Sequence, residues 1–396
     1  MSTQNPVFIP GPTNLPDRIR RAMDVQTADH RAPDFAEQFV PLLSELKSVF
    51  KTQLGEVLLF PSTGTGGWEA AITNTLSPGD EVLSARYGMF CQRWINLCRN
   101  HGLYVHAIES EWGDGVPAAE YERILAADTE HRIKVVLACH NETSTGVTSD
   151  IAAVRAALDK TGHPAMLFVD GVSSIASIDF RMDEWGVDIA VTGSQKGFML
   201  GAGLSILAIS PKAMDACREA KCPRAYFDFL AMVEANRKGS FPYTPPLSLI
   251  RGLRESVTML QEEGLEQVFS RHHRIAEGVR RAVDAWGLEI CAKDRDLCSN
   301  TVTAIHVPEG FDSTELCNHA YEHYGVSFGA GLGDVAGKVF RIGHLGDMTD
   351  VMALSGLATI EMAMVNLDYP IELGSGVAAA QRYYSATRNR WKQQVA

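Results

Sequence analysis

The chain has 396 residues and a formal net charge of −12 at pH 7; 45% of its residues are hydrophobic and 21% are charged. These proportions are typical of a globular protein rather than of a disordered chain, and the length suffices for two or three domains with sizeable cores. The acidic balance disfavours nucleic acid or an anionic membrane surface as the main partner, although local arginines can still hold a small anionic substrate.

The cysteines and the N-terminal residues indicate the cellular compartment in which the protein is expected. Eight cysteines are scattered along the chain without a CxxC pair, which argues against a zinc ribbon or a thioredoxin-like site and suits reduced thiols in a cytoplasm. Without HExxH or clustered Cys/His spacing, we expect no bound metal. The start MSTQNPVFIPGP lacks the features of a signal peptide, and no apolar run approaches the roughly 18 residues of a membrane span. We therefore expect a cytoplasmic protein without a membrane partner.

Strand-like apolar runs alternate with amphipathic stretches in the first half of the chain. The predicted strands are EVLLF (56–60), EVLSA (81–85), YVHAIE (104–109), KVVLACH (134–140), AMLFVD (165–170) and VDIAVTG (187–193). Helical patterns between them include Met89–His101 and Asp150–Lys160. Because several strands are apolar on both faces, the pattern predicts an α/β fold with a mainly parallel, seven-stranded-type sheet between helices.

The pattern changes after about residue 245. A long helical pattern covers residues 247–286 and is interrupted around Gly264. Shorter strands, TVTAIHV (301–307) and KVFRIG (338–343), then alternate with helices at 313–324 and 349–365. We expect an N-terminal segment (1–16), a large α/β domain (17–263) and a smaller C-terminal α+β domain (264–396).

A glycine-rich loop, PSTGTGGWEA (61–70), follows the first predicted strand and leads into a helical pattern. Small residues let the backbone approach a ligand, and free N–H groups at a helix start can bind an anion. The loop matches neither the Walker A motif nor the GxGxxG motif, and GAGLGD (329–334) does not match GxGxxG either. The sequence therefore lacks the main motif that would indicate a nicotinamide cofactor. An ordinary strand–helix turn is the alternative interpretation.

Ionisable residues follow the last two predicted strands of this half. Asp170 is the last residue of AMLFVD, at the edge where parallel sheets bind ligands. Its carboxylate could pair with a ring nitrogen, a metal or a ribose, or the residue could only form a turn. Lys196 follows VDIAVTG, in GSQK (193–196). Burial there would lower its pKa and make the amine a nucleophile, whereas a solvated charge is the common alternative for a single lysine.

Pyridoxal 5′-phosphate needs a glycine-rich loop, an aspartate and a lysine, and the chain offers all three in this order. Its phosphate needs backbone and hydroxyl donors such as Ser62, Thr63 and Thr65, its ring nitrogen needs a carboxylate to stay protonated, and its aldehyde needs a lysine. Five motifs together resemble class V aminotransferases of fold type I, in the serine–, alanine– and aspartate–glyoxylate branch. They are GSQK, VDGVSS (169–174), HNETSTGV (140–147), IPGPTNLP (9–16) and FRIGHLGD (340–347), within a similarity over roughly residues 7–375.

The resemblance implies a role for each matching residue. Lys196 would be the Schiff-base lysine and proton shuttle, with Asp170 on the ring nitrogen. The other cofactor-binding positions that it implies are Thr63, Gly64, Thr65, Phe90, Thr143, Val172, Gln195, Tyr243 and Thr244. Arg341 would grip the substrate α-carboxylate bidentately, and Thr13, Asn14 and His344 are further substrate-side candidates.

Two departures from the family pattern concern the cofactor phosphate and the turn after the lysine. Some members carry a phosphate-binding tyrosine where this chain has Phe241, so Tyr243 is the candidate replacement. Many relatives place a proline pair after the lysine, whereas Leu200 is followed here by Gly201-Ala202-Gly203. In the family, the segment equivalent to FPYTPP (241–246) reaches the neighbouring subunit's phosphate site, which implies a homodimer with Thr244 acting in trans.

The expected activity is a ping-pong transamination from an L-amino acid to glyoxylate, giving glycine and a 2-oxo acid. Serine and aspartate are the favoured donors, but a β-carboxylate would need a second cation that the sequence does not identify. A cysteine desulfurase-like lyase, using Cys291, Cys298 or Cys317, is a second possibility, and a non-enzymatic cofactor-binding regulatory domain is a third. His272 and His273 are expected at the surface, and Trp68 and Trp94 in the core or an interface.

Overall fold

Residues 5–394 are described by the computed structural model, without the side chains of position 33 and of residues 389–394. The helices are α1 (Asp17–Met23), α2 (Pro33–Phe50), α3 (Gly64–Thr75), α4 (Met89–Asn100), α5 (Ala118–Ala127), α6 (Ile151–Thr161), α7 (Pro211–Glu219), α8 (Phe229–Arg237), α9 (Leu247–Glu263), α10 (Leu265–Trp286), α11 (Ser313–Tyr324), α12 (Asp350–Asn366) and α13 (Ser375–Gln394). The strands are β1 (Glu56–Ser62), β2 (Glu81–Arg86), β3 (Tyr104–Glu109), β4 (Ile133–Cys139), β5 (Asn141–Glu142), β6 (Val147–Thr148), β7 (Met166–Asp170), β8 (Ile189–Gly193), β9 (Gly203–Ile209), β10 (Val302–His306), β11 (Gly329–Ala330) and β12 (Val339–Gly343).

A seven-stranded sheet with the order β1-β9-β8-β7-β4-β2-β3 forms the centre of the larger part. Strand β9 is antiparallel to both of its neighbours, and the other pairs are parallel. Every residue of β7 and β8 is buried, as expected where helices cover both faces of a sheet. The predicted α/β class with a mainly parallel sheet is confirmed.

The parallel pairing of β7 and β8 brings two candidate site residues to one edge. Asp170 pairs with Val191 of β8, and β8 ends two residues later at Gly193. Lys196 follows directly in the next turn. Chain segments that follow neighbouring parallel strands emerge at the same edge, where ligands bind in folds of this type.

The C-terminal part has its own sheet and apolar core. Strands β10, β12 and β11 form an antiparallel sheet that packs with α10 and α11. Gly264, with φ of +83°, separates α9 from α10, because glycine adopts this conformation without steric cost. One buried cluster ends at Val268 and a second contains Ile275 onward together with Phe8. We keep the division at 263/264 as a proposal on this basis.

The two tryptophans that were predicted to lie in a core or an interface do lie in the core. Trp68 and Trp94 are buried and stack with ring centroids 5.6 Å apart. Within residues 5–394, no helix combines the length and the apolar character needed to cross a membrane.

Candidate active site

Lys196 is buried in the turn between β8 and β9. Its Nζ donates a hydrogen bond to the carbonyl oxygen of Pro10, and the Ser194 hydroxyl closes the turn by donating to Gly201 O at 2.7 Å. A Cβ at Gly11 would lie 2.5 Å from Lys196 Cδ, so only glycine lets the N-terminal segment pass over this side chain. Burial lowers the pKa of Lys196 to about 8, with the Arg341 charge acting in the same direction. The amine therefore has a substantial neutral, nucleophilic fraction near neutral pH.

Asp170 is buried at the end of β7. Its Oδ1 accepts a hydrogen bond from the Val172 N–H at 2.8 Å, and its Oδ2 is contacted by the Cys139 thiol at 3.5 Å. Burial raises the pKa of Asp170 to about 7, and the Lys196 charge acts against this rise. Oδ2, which only a weak thiol donor contacts among the described residues, remains able to accept a strong hydrogen bond from a cationic ring N–H.

The glycine-rich loop lies between β1 and α3, with Gly64 at the first position of the helix. A Cβ at Gly64 would lie 2.5 Å from Val172 Cγ2. The backbone of the loop therefore packs directly against the side chain of Val172, in the turn that follows Asp170. Thr63 and Thr65 are exposed, and the Thr63 side chain does not cap α3. The open N-terminus of this twelve-residue helix is suited to an anion such as a phosphate.

Arg341 on β12 brings a buried positive charge to the same site. Its Nε and Nη2 donate to Ala330 O at 3.1 and 2.7 Å, and its Nη1 donates to Thr143 O at 3.2 Å. Burial lowers its pKa to about 10. Among the described residues it has no ion-pair partner, so a carboxylate ligand would satisfy both its charge and its remaining donors.

Thr143 belongs to a buried hydroxyl network beneath Arg341. Its Oγ1 donates to Ser173 Oγ at 2.7 Å, and Ser173 Oγ in turn donates to Asn141 O at 2.9 Å. The proton of Thr143 is therefore engaged, and its oxygen is left as an acceptor in this arrangement.

Glu142 is a site residue to which the sequence motifs assign no role. It is fully buried, and its Oε2 accepts from the backbone N–H groups of Phe90 and Cys91 at 3.0 and 3.1 Å, at the start of α4. Its Oε1 accepts from Ser144 N and Oγ at 3.0 and 2.6 Å. A carboxylate at a helix N-terminus is stabilised by the helix dipole. Glu142 thus ties Phe90 to the segment that carries Thr143.

The N-terminal candidates differ in what their side chains contact. Asn14 uses its amide on the backbone of Val7, with Oδ1 and Nδ2 at 2.9 Å from Val7 N and O respectively, so it shapes this segment. The buried Thr13 Oγ1 has no hydrogen-bond partner among the described residues. The Thr13 N–H donates to Gln195 O at 3.2 Å, which joins the segment to the Lys196 turn.

The histidines are placed by their ring contacts. His344 is buried, with Nε2 2.9 Å from Thr303 Oγ1, and burial lowers its pKa to about 3. The expectation that His272 lies at the surface is wrong, whereas His273 is exposed. Two hydrogen bonds offset the cost of burying His272, since Nδ1 lies 2.7 Å from Val268 O and Nε2 accepts from Gly346 N at 3.1 Å.

The segment 241–246 divides its aromatic residues between two environments. Phe241 is buried and packs on Phe39 with ring centroids 4.6 Å apart. Tyr243 stacks on Tyr226 with ring centroids 4.3 Å apart, and its buried hydroxyl interacts with that of Tyr226. Thr244 is exposed. Of these two aromatic residues, only Tyr243 carries a hydroxyl that can donate to a phosphate.

Comparisons with known proteins show what the whole chain is similar to. The chain is 62% identical over 387 residues to an L-aspartate–glyoxylate aminotransferase of Paracoccus denitrificans, with 98% of each chain covered. It is 52% identical to a serine–glyoxylate aminotransferase of Hyphomicrobium methylovorum, covering 96% of this chain and 94% of the relative. The crystal structure of ureidoglycine–glyoxylate aminotransferase from Bacillus subtilis superposes with a TM-score of 0.89 at 26% identity, covering 97% of this chain and 99% of that one. Residues 17–336 match the family model for class V aminotransferases, and the chain belongs to that family.

Proposed function

We propose that this protein moves the amino group of an L-amino acid, with L-aspartate and L-serine as the foremost donors, to glyoxylate. The products are glycine and the 2-oxo acid that matches the donor. The proposal rests mainly on three buried ionisable groups in one site, Lys196, Asp170 and Arg341. None of the three has an ion-pair partner among the described residues. The relatives named for transfer to glyoxylate support the choice of acceptor.

The cofactor of this aminotransferase is pyridoxal 5′-phosphate, and the donor set fits that group. Asp170 Oδ2 is available to the ring nitrogen, the start of α3 can receive the phosphate, and the Lys196 amine can react with the aldehyde. Phe90 and Val172 are apolar residues suited to packing on the two faces of a ring. When bound, the cofactor supplies an electron sink that makes the Cα proton of an amino acid acidic.

The chain's own residues then divide the work. Lys196 Nζ would hold and move the proton at the substrate Cα, as a general base and then as a general acid. Asp170 keeps the ring nitrogen protonated, since a buried carboxylate gains most from an adjacent cation. Arg341 binds and orients the α-carboxylate, which places the Cα–H bond within reach of Lys196.

We infer a homodimer whose active sites are shared between subunits. The exposed Thr244 and the hydroxyl of Tyr243 lie in a segment that the buried Phe241 ring holds in place. Polar groups presented in this way are suited to a phosphate held by the partner subunit.

A lyase that uses a cysteine nucleophile is disfavoured by the thiols themselves. Cys291 and Cys317 are buried, and burial raises their pKa values to about 11 and about 12. Burial also raises the pKa of the partly exposed Cys298. A catalytic thiol needs the opposite shift, because the thiolate is the nucleophile.

A donor panel tests the proposed function. Purified enzyme with pyridoxal 5′-phosphate would be given L-serine, L-aspartate, L-alanine or L-glutamate together with glyoxylate, and glycine and each 2-oxo acid would be quantified. We expect stoichiometric glycine and 2-oxo acid from at least serine or aspartate, with no product from Lys196→Ala. If no donor yields glycine, the proposed function is wrong.

A further inference from the structure

Arg93 is an exposed arginine on α4, one turn after Phe90. Its guanidinium carbon lies 5.3 Å from the centroid of the Phe90 ring, a cation–π contact that holds the side chain over the residue proposed to pack on the cofactor. Arg93 has no ion pair or hydrogen bond to another side chain within the described residues. Arg86, before the same helix, is by contrast paired with both Glu109 and Asp334.

Arg93 and Arg341 carry like charges in one region of the protein. The charge of Arg93 contributes to the lowering of the pKa of Arg341, whereas the Glu142 carboxylate opposes it. Glu142 is already occupied by the α4 and Ser144 N–H groups. Two guanidinium groups that form no ion pair with the described residues favour a ligand that carries two negative charges.

We propose that Arg93 is a specificity-determining residue that binds the side-chain carboxylate of a dicarboxylic amino donor, while Arg341 binds the α-carboxylate. This inference rests on the proposed function and names the substrate class of the same site: a short acidic amino acid such as L-aspartate. Serine and alanine have no second carboxylate and would gain nothing from this cation. The planar guanidinium can bind a carboxylate bidentately, and Phe90 restricts its orientation.

The test compares Arg93→Gln with Arg99→Gln, which removes an exposed arginine from the last turn of the same helix. The measured quantities are kcat/KM for L-aspartate and for L-alanine with glyoxylate. The loss of one charge-assisted carboxylate contact should lower the aspartate-to-alanine ratio of kcat/KM about 10- to 100-fold in Arg93→Gln. The ratio should stay at the wild-type value in Arg99→Gln and recover in part in Arg93→Lys.

Binding of unreactive acids gives a readout apart from turnover. Titration of the holoenzyme with succinate, followed by cofactor absorbance, should show a Kd that rises about 10- to 100-fold in Arg93→Gln, while the Kd for propionate changes far less. An equal change for both acids, or an unchanged donor ratio, overturns the inference. If the wild-type enzyme uses serine but not aspartate, the inference is wrong and the proposed function stands. If no donor yields glycine, the proposed function fails and the inference fails with it.

Discussion

At the scale of single residues, burial acts on three charged groups at once. It lowers the pKa of Lys196 to about 8 and that of Arg341 to about 10, and raises that of Asp170 to about 7. Each group has lost water without gaining an ion-pair partner among the described residues. A ligand with a cationic ring nitrogen and a substrate carboxylate supplies the missing opposite charges, so binding and pKa are coupled in this site.

The first prediction concerns the pH dependence of cofactor capture. Only the neutral amine attacks an aldehyde, so the rate at which apoenzyme binds pyridoxal 5′-phosphate covalently should rise with pH through a midpoint near about 8 and then level off. Arg341→Gln removes a positive charge that lowers the pKa of Lys196, so the midpoint should move to higher pH. Rapid-mixing absorbance over a pH series measures both.

A midpoint near the ordinary lysine pKa of 10.5 in the wild-type apoenzyme would contradict this account, because it would mean a solvated amine. Lys196→Ala is the control, since it should show no covalent capture at any pH.

A second prediction separates positioning from stability at Glu142. Glu142→Gln replaces an acceptor oxygen with a donor amide against buried N–H groups, so the free energy of unfolding should fall by about 1–3 kcal/mol. The substitution also weakens the hydrogen bonds that connect Phe90 to the segment carrying Thr143. We therefore expect kcat/KM to fall about 10- to 100-fold. Urea denaturation and steady-state kinetics give the two quantities.

Glu361 provides a matched control for this substitution. It is buried and accepts from Trp286 Nε1 at 2.7 Å and from Gly374 N and Gly376 N at 3.0 and 2.6 Å, at the start of α13. Glu361→Gln should cost similar stability and leave kcat/KM at the wild-type value. If Glu142→Gln also leaves kcat/KM unchanged, Glu142 has only a structural role.

At the scale of elements, the turns after the strands hold the site. The Gly64 turn approaches Val172 so closely that Gly64→Ala would place a methyl group 2.5 Å from Val172 Cγ2. Overpacking of this kind costs about 1–3 kcal/mol and shifts the turn from its position. A loss of the same size in the binding of the cofactor phosphate would raise the Kd for pyridoxal 5′-phosphate about 5- to 150-fold. Gly201→Ala adds a methyl group to open space and should bind the cofactor as wild type does. Equal Kd values for the two variants would show that the Gly64 turn does not contact the cofactor.

The alternation of strands and helices predicts most of the central sheet but not β9. That alternation assumes a helix between successive strands, whereas β9 follows β8 after a single turn and runs antiparallel to both neighbours. The edge that carries Asp170 and Lys196 is predictable, because both follow apolar strands. Glu142 is not, because its role depends on α4, a helix some fifty residues away. The burial of His272 is not predictable, because the sequence does not reveal its hydrogen bonds to Val268 O and to Gly346 N.

At the scale of the whole molecule, the N-terminal segment joins the two apolar cores. Phe8 packs in the C-terminal cluster and stacks on Phe328 at 5.6 Å. A few residues later, Pro10 and Thr13 bond the Lys196 turn. This segment therefore couples the position of Lys196 to that of the C-terminal part, which carries Arg341.

The proposed shared site predicts complementation between two inactive parents. Thr244→Asp should repel a phosphate, and Lys196→Ala removes the reactive amine. If Thr244 acts in trans, each mixed dimer has one site with both defects and one with neither, and should recover up to about half of wild-type activity. Subunit exchange would be verified by mass-tagged subunits. Verified exchange without returning activity would place Thr244 in its own subunit's site.

Transfer of an isotope label shows directly whether the amino group of the donor reaches glyoxylate. The holoenzyme would be incubated with ¹⁵N-labelled L-aspartate or L-serine and unlabelled glyoxylate, and glycine and ammonia would be analysed by mass spectrometry. We expect the label to appear in glycine, in equal amount to the 2-oxo acid formed, and we expect Lys196→Ala to transfer none. Label released as ammonia, with unlabelled glyoxylate left unconsumed, would contradict this expectation and indicate a lyase on the same fold.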